Sequence, residues 1–407
     1  MERHMGVLER FFGPPSKDKF SRLMMEAIRQ AGETNALRYD PVDFCVHREG
    51  KGKGILNLEN AYREYCAAPT GRRPAVVKSF VRSWFSHRKQ VPADFADARH
   101  DLLLGVRNRA FYEIAKLTLP AEVNWPYRVL ADSLGVGLVY DLPESMMQVQ
   151  QHHLDGWRVT FDEAFEAALH NLPGITPHGM AAAGPGLWVS PWKDNYDPSR
   201  LLLPDFIRQH QVAGDPVVMA PNRDTLLLTG CHDRDCLAKL AALAEEAYAQ
   251  PRSISGVALR LTADDEWVPF LPGKDHPEYQ KFRTLRLRST GQDYAAQAED
   301  LNALHAKTGK AAFVASFSAL QKQGSGEVRS YCVWSEGVVT LLPRTDDIFF
   351  FRPTGNDKGD IVATAPRERA QAVLGHLMKP AGLYPERYLV EDFPSAEQLA
   401  AFDPVGS

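Results

Sequence analysis

The chain has 407 residues, 44% of them hydrophobic, which is enough for a substantial core and long enough to make two or three domains the expectation. Its net charge of −4 gives no global basic excess and argues against a general polyanion binder, although local basic surfaces stay open. Five scattered cysteines make no secreted disulfide framework, no signal-peptide order opens the chain, and no apolar run reaches the roughly 18–20 residues of a membrane span. These features predict a soluble, reduced, cytoplasmic protein with no membrane partner.

In chain order, Phe20, Leu23, Met24, Ala27 and Ile28 recur at helical spacing, and Gly32 ends that helix. Two short strands, Asp43 to His47 and Gly54 to Leu58, flank a polar glycine-rich hairpin turn. A helix from Leu58 to Cys66 follows, and Pro74 opens another that carries Val77, Phe80, Val81, Trp84 and Phe85. Leu102, Leu103, Val106, Phe111, Ile114 and Leu117 predict helix.

The middle section reads as strands at Tyr127 to Leu130, Gly137 to Asp141, Leu187 to Pro191, Pro216 to Ala220, Thr225 to Thr229 and Gly256 to Leu261. Helices are expected at Phe161 to Asn171, Ser199 to Gln211 and Asp233 to Ala249, with Thr160 and Glu163 forming a capping box for the first. The last part predicts a strand at Phe282 to Arg288, a helix at Asp293 to Thr308, and strands at Ala311 to Phe317 and Ser330 to Trp334. It closes with strands at Val338 to Leu342 and Ile348 to Phe351 and a helix at Pro366 to Met378. The class is therefore α+β: several small αβ modules with mainly antiparallel sheets and helices on one face. The expected division is 1–120, an N-terminal module with a helical linker; 121–275, a central domain; and 276–407, a C-terminal domain. Pro221-x-x-Asp224 and Pro343-x-x-Asp346 both lie between apolar runs, so the last domain reads as a diverged repeat built on the same hairpin.

The segment from Tyr196 through Asp197, Pro198, Ser199, Arg200 and Leu201 to Leu202 resembles the Tyr-Asp-Ala-Ser-Arg-Ile-Leu element of the YtpQ-like family, bacterial domains of unknown function. The run from Ala168 to Leu172 resembles that family's Ala-x-x-Asn-Leu, and the Pro221-x-x-Asp224 turn and the strand Gly256 to Leu261 are shared. Order and spacing agree from about Asp18 to Leu271, with Pro198 replacing a small residue and the C-terminal part left uncovered. The resemblance implies an α+β fold and a bacterial cytoplasmic setting. It implies no activity, because the family has no established catalytic residues to carry over.

Familiar chemistry is hard to find. Cys231, His232 and Cys236 resemble a metal cluster but lack a second ligand pair, and Asp233 or Asp235 fits a helix cap, so no metal and no cofactor are assigned. Gly50 to Gly54 lacks the phosphate-loop pattern and reads as a hairpin turn. His152 and His153 read as an exposed polar loop, and the acidic groups Asp264 to Glu266 and Asp346 to Asp347 as turns. Two basic surfaces stand out: Arg72, Arg73, Lys78, Arg82, His87, Arg88 and Lys89 around Trp84, and Lys281, Arg283, Arg286 and Arg288 along a strand whose alternation puts Arg286 and Arg288 on one face.

The leading expectation is a non-enzymatic adaptor or accessory protein with a protein partner. One alternative is an enzyme whose Asp197, Arg200, Arg223 and Asp224 converge in one pocket. The other, less favoured, is a nucleic-acid binder that uses the two basic surfaces.

Overall fold

The computed structural model describes residues 15–50, 54–86, 91–120, 122–142, 145–309, 312–321, 326–355 and 358–402. The protein is of the α+β class: the described residues form five sheets with mostly antiparallel pairing, and helices pack against them.

The N-terminal module forms around the helix Lys17–Gln30, which Ser16 caps by accepting the Lys19 N–H at 3.3 Å. Phe20, Met24 and Ile28 recur every four residues and are fully buried. They pack on a three-stranded antiparallel sheet of Leu37–Asp40, Cys45–Arg48 and Gly54–Asn57 and on the helices Glu59–Ala67 and Arg73–Ser86. The strand Leu37–Asp40 is polar at three of its four positions and gives no hydrophobic alternation to read. The glycine-rich turn at 51–53 lies outside the described residues.

The central part contains two sheets. The first joins Leu102–Asn108, Leu134–Leu142, Tyr127–Ala131 and Ser145–Gln148; the second has six strands with Pro216–Asn222 and Thr225–Gly230 at its middle. Every residue of Pro216–Asn222 is buried, because alternate side chains serve two cores. Val218 and Ala220 meet the core shared with the first sheet, while Val217 and Met219 face the helix Arg234–Tyr248 and Phe282 and Leu285. The helix Phe161–Asn171 forms where its periodicity predicts, with both halves of the Thr160–Glu163 capping box made.

Several expectations are corrected. Leu102 to Val106 belong to a strand, and helix begins only at Arg109–Thr118. Burial of every residue from Leu102 to Arg107 removes the alternation that marks a half-exposed strand. Gly105 belongs to that packing: a Cβ there would stand 2.8 Å from the Val139 side chain. This strand pairs with Leu134–Leu142, so a division between 120 and 121 cuts through one sheet.

Phe282 to Arg288 is helical, part of one helix Tyr279–Thr308; Phe282, Leu285 and Ser289 are its buried face, and that spacing belongs to a helix. The segment Ser199 to Gln211 is a 3-10 turn, Asp197–Leu202, followed by a short helix, Pro204–Arg208, because Pro204 ends one and starts the other. His152 and His153 lie on a helix, Gln151–Trp157, not in a loop. The C-terminal Pro343-x-x-Asp346 does not close a hairpin: Thr340–Pro343 and Asp347–Gly355 belong to different sheets, whereas Pro216–Asn222 and Thr225–Gly230 pair directly. The two stretches share turn chemistry and not a duplicated unit.

Candidate functional site

The turn between the two middle strands brings Arg223 to the edge of the N-terminal module. Its backbone N–H bonds the Arg252 carbonyl at 3.3 Å, and the Ile254 N–H bonds Pro221 at 2.8 Å, so this turn and the loop after the helix Arg234–Tyr248 are sewn together. Arg107 arrives at the same place from the end of its strand, and Asn60 and Arg63 from the helix Glu59–Ala67. Together they line a cavity of about 170 Å³.

The charge in this cavity is poorly balanced. Arg107 is only 5% exposed, and its guanidinium donates to the Val106 carbonyl at 2.7 Å and the Met146 sulfur at 3.1 Å. Among the described residues neither Arg107 nor Arg223 has an ion-pair partner. Asp224 accepts the Asn195 N–H at 3.0 Å instead. Arg252 is compensated by Glu64, 2.6 Å away, and donates to the Asn195 side chain. Burial, then the nearby charges of Arg107 and Arg252, push the Arg223 pKa down to about 9, and burial pulls Arg107 down as well. Removing such ions from water costs several kcal/mol each unless a counter-charge is supplied. An anion of phosphate or carboxylate type, which guanidinium forks fit, would supply it.

The loop that frames the site is held under backbone strain. Lys193, Asn195 and Arg252 all have positive φ, at 52°, 68° and 64°. Such conformations persist only where surrounding bonds enforce them; at Lys193 and Asn195, Asp197, Arg200 and Asp224 do so, and at Arg252 the bonds to Arg223 and Glu64 do. Asp197 accepts the N–H groups of Lys193 and Asp194 at 3.3 and 3.2 Å. Arg200, fully buried, grips Asp194 through two bonds of 2.9 and 2.7 Å and stacks on Trp192. Ser199 donates to Leu104 at 2.6 Å. The Tyr196–Leu202 element is thus a clamp that sets the loop.

Of the four residues expected to converge, then, only Arg223 lines the cavity; Asp197, Arg200 and Asp224 hold the backbone that shapes it. The basic surfaces also come apart. Trp84 is 1% exposed and cannot present an aromatic face to a partner; its indole donates to Glu33 at 2.9 Å. Arg72, Lys78 and Arg82 are exposed, Arg73 lies over the Tyr65 ring, and His87, Arg88 and Lys89 fall outside the described residues. On a helix, residues two apart point to different sides. Arg286 accordingly lines a cleft toward the C-terminal sheets, while Arg288 lies over Tyr248.

Near Cys231, Asp233 caps its helix by accepting the Cys236 N–H at 3.0 Å, and Cys236 Sγ bonds the Pro185 carbonyl at 3.1 Å. No group of three potential metal ligands gathers among the described residues.

Sequence reasoning missed Arg107, Arg252 and Asn60. Arg107 had a signal, a lone charge closing the apolar run from Leu102 to Val106. The other two carry none: Asn60 reaches Arg223 only through the docking of the N-terminal helix, and Arg252 only through the pairing of its loop with the 221–224 turn.

A second cleft, about 620 Å³, lies between the helix Tyr279–Thr308 and the C-terminal sheets. Two of its four arginines are matched, Arg283 with Asp346 at 2.6 Å and Arg344 with Glu386 at 3.2 Å, while Arg286 and Arg109, which lies over the Tyr384 ring, have no ion pair among the described residues. Burial pushes the Asp293 carboxyl there up to about 7, against the hydrogen bond from Asn108.

No family model matches the chain, and no curated protein or solved structure matches it either.

Proposed function

We propose that this chain is a binding protein for a small anionic molecule, whose phosphate or carboxylate group enters the cavity between Arg107 and Arg223. The observation that carries the reading is the pair itself: two neighbouring guanidiniums, one of them 5% exposed, without a carboxylate partner among the described residues. A guanidinium kept for structure alone would be expected to have its donors taken up, as Asp194 takes Arg200 and as Gln297 and three backbone carbonyls take Arg387, whereas the Arg223 side chain has no hydrogen-bond partner among the described residues.

A bacterial, cytoplasmic setting and membership of the YtpQ-like family belong to the same proposal. The five cysteines are unpaired, which suits a reducing compartment, and no helix among the described residues is long and apolar enough to cross a membrane. A protein-partner role has only the modular build in its favour. A nucleic-acid role is weakened by the burial of Trp84 and the separation of Arg286 from Arg288.

Isothermal titration of the full chain with inorganic phosphate, pyrophosphate and citrate tests the reading. Binding of at least one is expected, weakened tenfold or more in Arg223→Met and reduced by added salt. No heat with any of the three at millimolar concentration overturns it.

A further inference from the structure

The arginine cavity does not stand alone. A larger cleft of about 530 Å³ shares Asn60, Arg223 and Arg252 with it and extends between the helix Arg73–Ser86 and the loop at 194–196. The volume of the smaller chamber suits one compact anionic group, and the larger has the size of a metabolite site, roughly 300–1,000 Å³.

The two ends differ in chemistry. Arg223 and Arg252 are the only cationic groups lining the larger cleft among the described residues, and both stand at its junction with the smaller one. The rest of the polar lining is neutral or acidic, with Asp141, Asp194 and Asn195 prominent. Asp141 uses Oδ1 to accept the Tyr196 hydroxyl at 2.8 Å, and no hydrogen-bond partner occupies Oδ2 among the described residues. Asn195 gives its side-chain oxygen to Arg252, which leaves its NH₂ group as a donor, and Asn60 keeps both amide functions. Carboxylate acceptors with amide donors are the partners hydroxyl groups use, since each hydroxyl both donates and accepts. Asp141, which has no ion-pair partner among the described residues, repels a second anionic group, whereas Asp194 is taken up by Arg200.

Resting on the anion-binding reading, we infer that the ligand is a monophosphate ester of a small polyhydroxylated molecule. Its phosphate sits between Arg107 and Arg223, and its hydroxyl groups meet Asp141, Asn195 and Asn60. A polyphosphate or a dicarboxylate would set its second charge against Asp141.

The test is a titration series on the full chain with inorganic phosphate, glycerol 3-phosphate, glucose 6-phosphate and fructose 1,6-bisphosphate. At least one monophosphate ester is expected to bind tenfold or more tighter than phosphate, and the bisphosphate no tighter than that ester. In Asp141→Ala the ester-to-phosphate affinity ratio is expected to fall toward one. Asn60→Ala, on an exposed helical position, lowers the same ratio and serves if Asp141→Ala does not fold. Esters that bind no tighter than phosphate, a preferred bisphosphate, or ratios unchanged in the variants overturn the inference while the anion site stands. If neither phosphate nor any ester binds, the anion reading itself falls.

Discussion

Asn108 donates its side-chain amide to both oxygens of Asp293, at 2.9 and 3.1 Å, and to the Ile254 carbonyl at 2.9 Å. Its own oxygen caps the next helix by accepting the Ala110 N–H at 2.7 Å. One side chain therefore ties the wall of the arginine cavity to the long helix Tyr279–Thr308 and to the cleft beyond it. The central and C-terminal parts meet through a half-buried carboxyl group.

That carboxyl should make stability depend on pH. Burial raises the Asp293 pKa from 3.8 to about 7, so the folded state holds its proton where the unfolded state has lost it. Stability then falls as pH rises from about 4 to about 7 and levels off above, with a ceiling of about 4 kcal/mol from this group. Asp293→Asn keeps an acceptor for Asn108 and removes the charge. Urea midpoints at pH 5 to 8 should show a flatter profile for the variant and a more stable protein at pH 8. Equal midpoints for the two proteins at pH 8 would count against the buried charge.

Trp84 is expected to act on stability and not as a contact for a partner. Glu33 accepts its indole N–H at 2.9 Å and the Arg48 guanidinium at 2.8 Å. Burial alone would raise the Glu33 pKa, but the bonds from Asn35 and Trp84 and the Arg48 charge outweigh it and hold it at about 2. The folded pKa lies below the ordinary value of 4.5, so the stabilisation is present above that pH and is lost as pH falls toward 2. Trp84→Phe keeps most of the packing and removes one donor from a buried carboxylate, which costs about 1–3 kcal/mol. The acid-unfolding midpoint followed by circular dichroism should move to higher pH. An unchanged midpoint would sink the idea.

The fold class was legible because long periodic stretches such as Phe161 to Asn171 and the paired apolar runs at Pro216 to Thr229 carry their own signal. Elements buried on both sides were not. Leu102 to Arg107 offers no alternation, and Phe282, Leu285 and Ser289 are read as helix only once their shared burial is known. The site was half legible. Arg223 and the clamp at Tyr196–Leu202 stood out by residue type, but a sequence does not distinguish a guanidinium left for a ligand from one spent on its own loop. That difference is made by Asp194, which takes Arg200 and leaves Arg223 alone.

Arg200 accordingly separates scaffold from site. Arg200→Lys preserves the charge but cannot keep two bonds to Asp194 together with those to Thr176 and Ile175. A loss of about 1–3 kcal/mol is expected, in the range for leaving buried hydrogen-bonding groups unsatisfied. Differential scanning fluorimetry reads it directly. A variant that melts like the parent yet fails to bind anions would instead make Arg200 a ligand contact.

The Glu64–Arg252 pair offers the most specific check, because it links stability to ligand binding with opposite signs. The two side chains are 26% and 23% exposed and join the N-terminal module to the central domain across 2.6 Å. Glu64→Gln removes the carboxylate that compensates Arg252 and leaves Arg63, Arg107, Arg223 and Arg252 facing one cavity without that counter-charge. Without ligand the variant should lose about 1–3 kcal/mol, since one charge of a partly buried pair is left alone. With ligand the added positive potential favours the anion, so phosphate binds more tightly and its stabilisation, which grows with the ratio of free ligand to Kd, is larger. Melting curves of both proteins across a phosphate titration measure this: the gap between them should narrow as phosphate rises, and sodium chloride at equal ionic strength should not narrow it as much. A gap that stays constant through the titration would mean that no anion reaches Arg252.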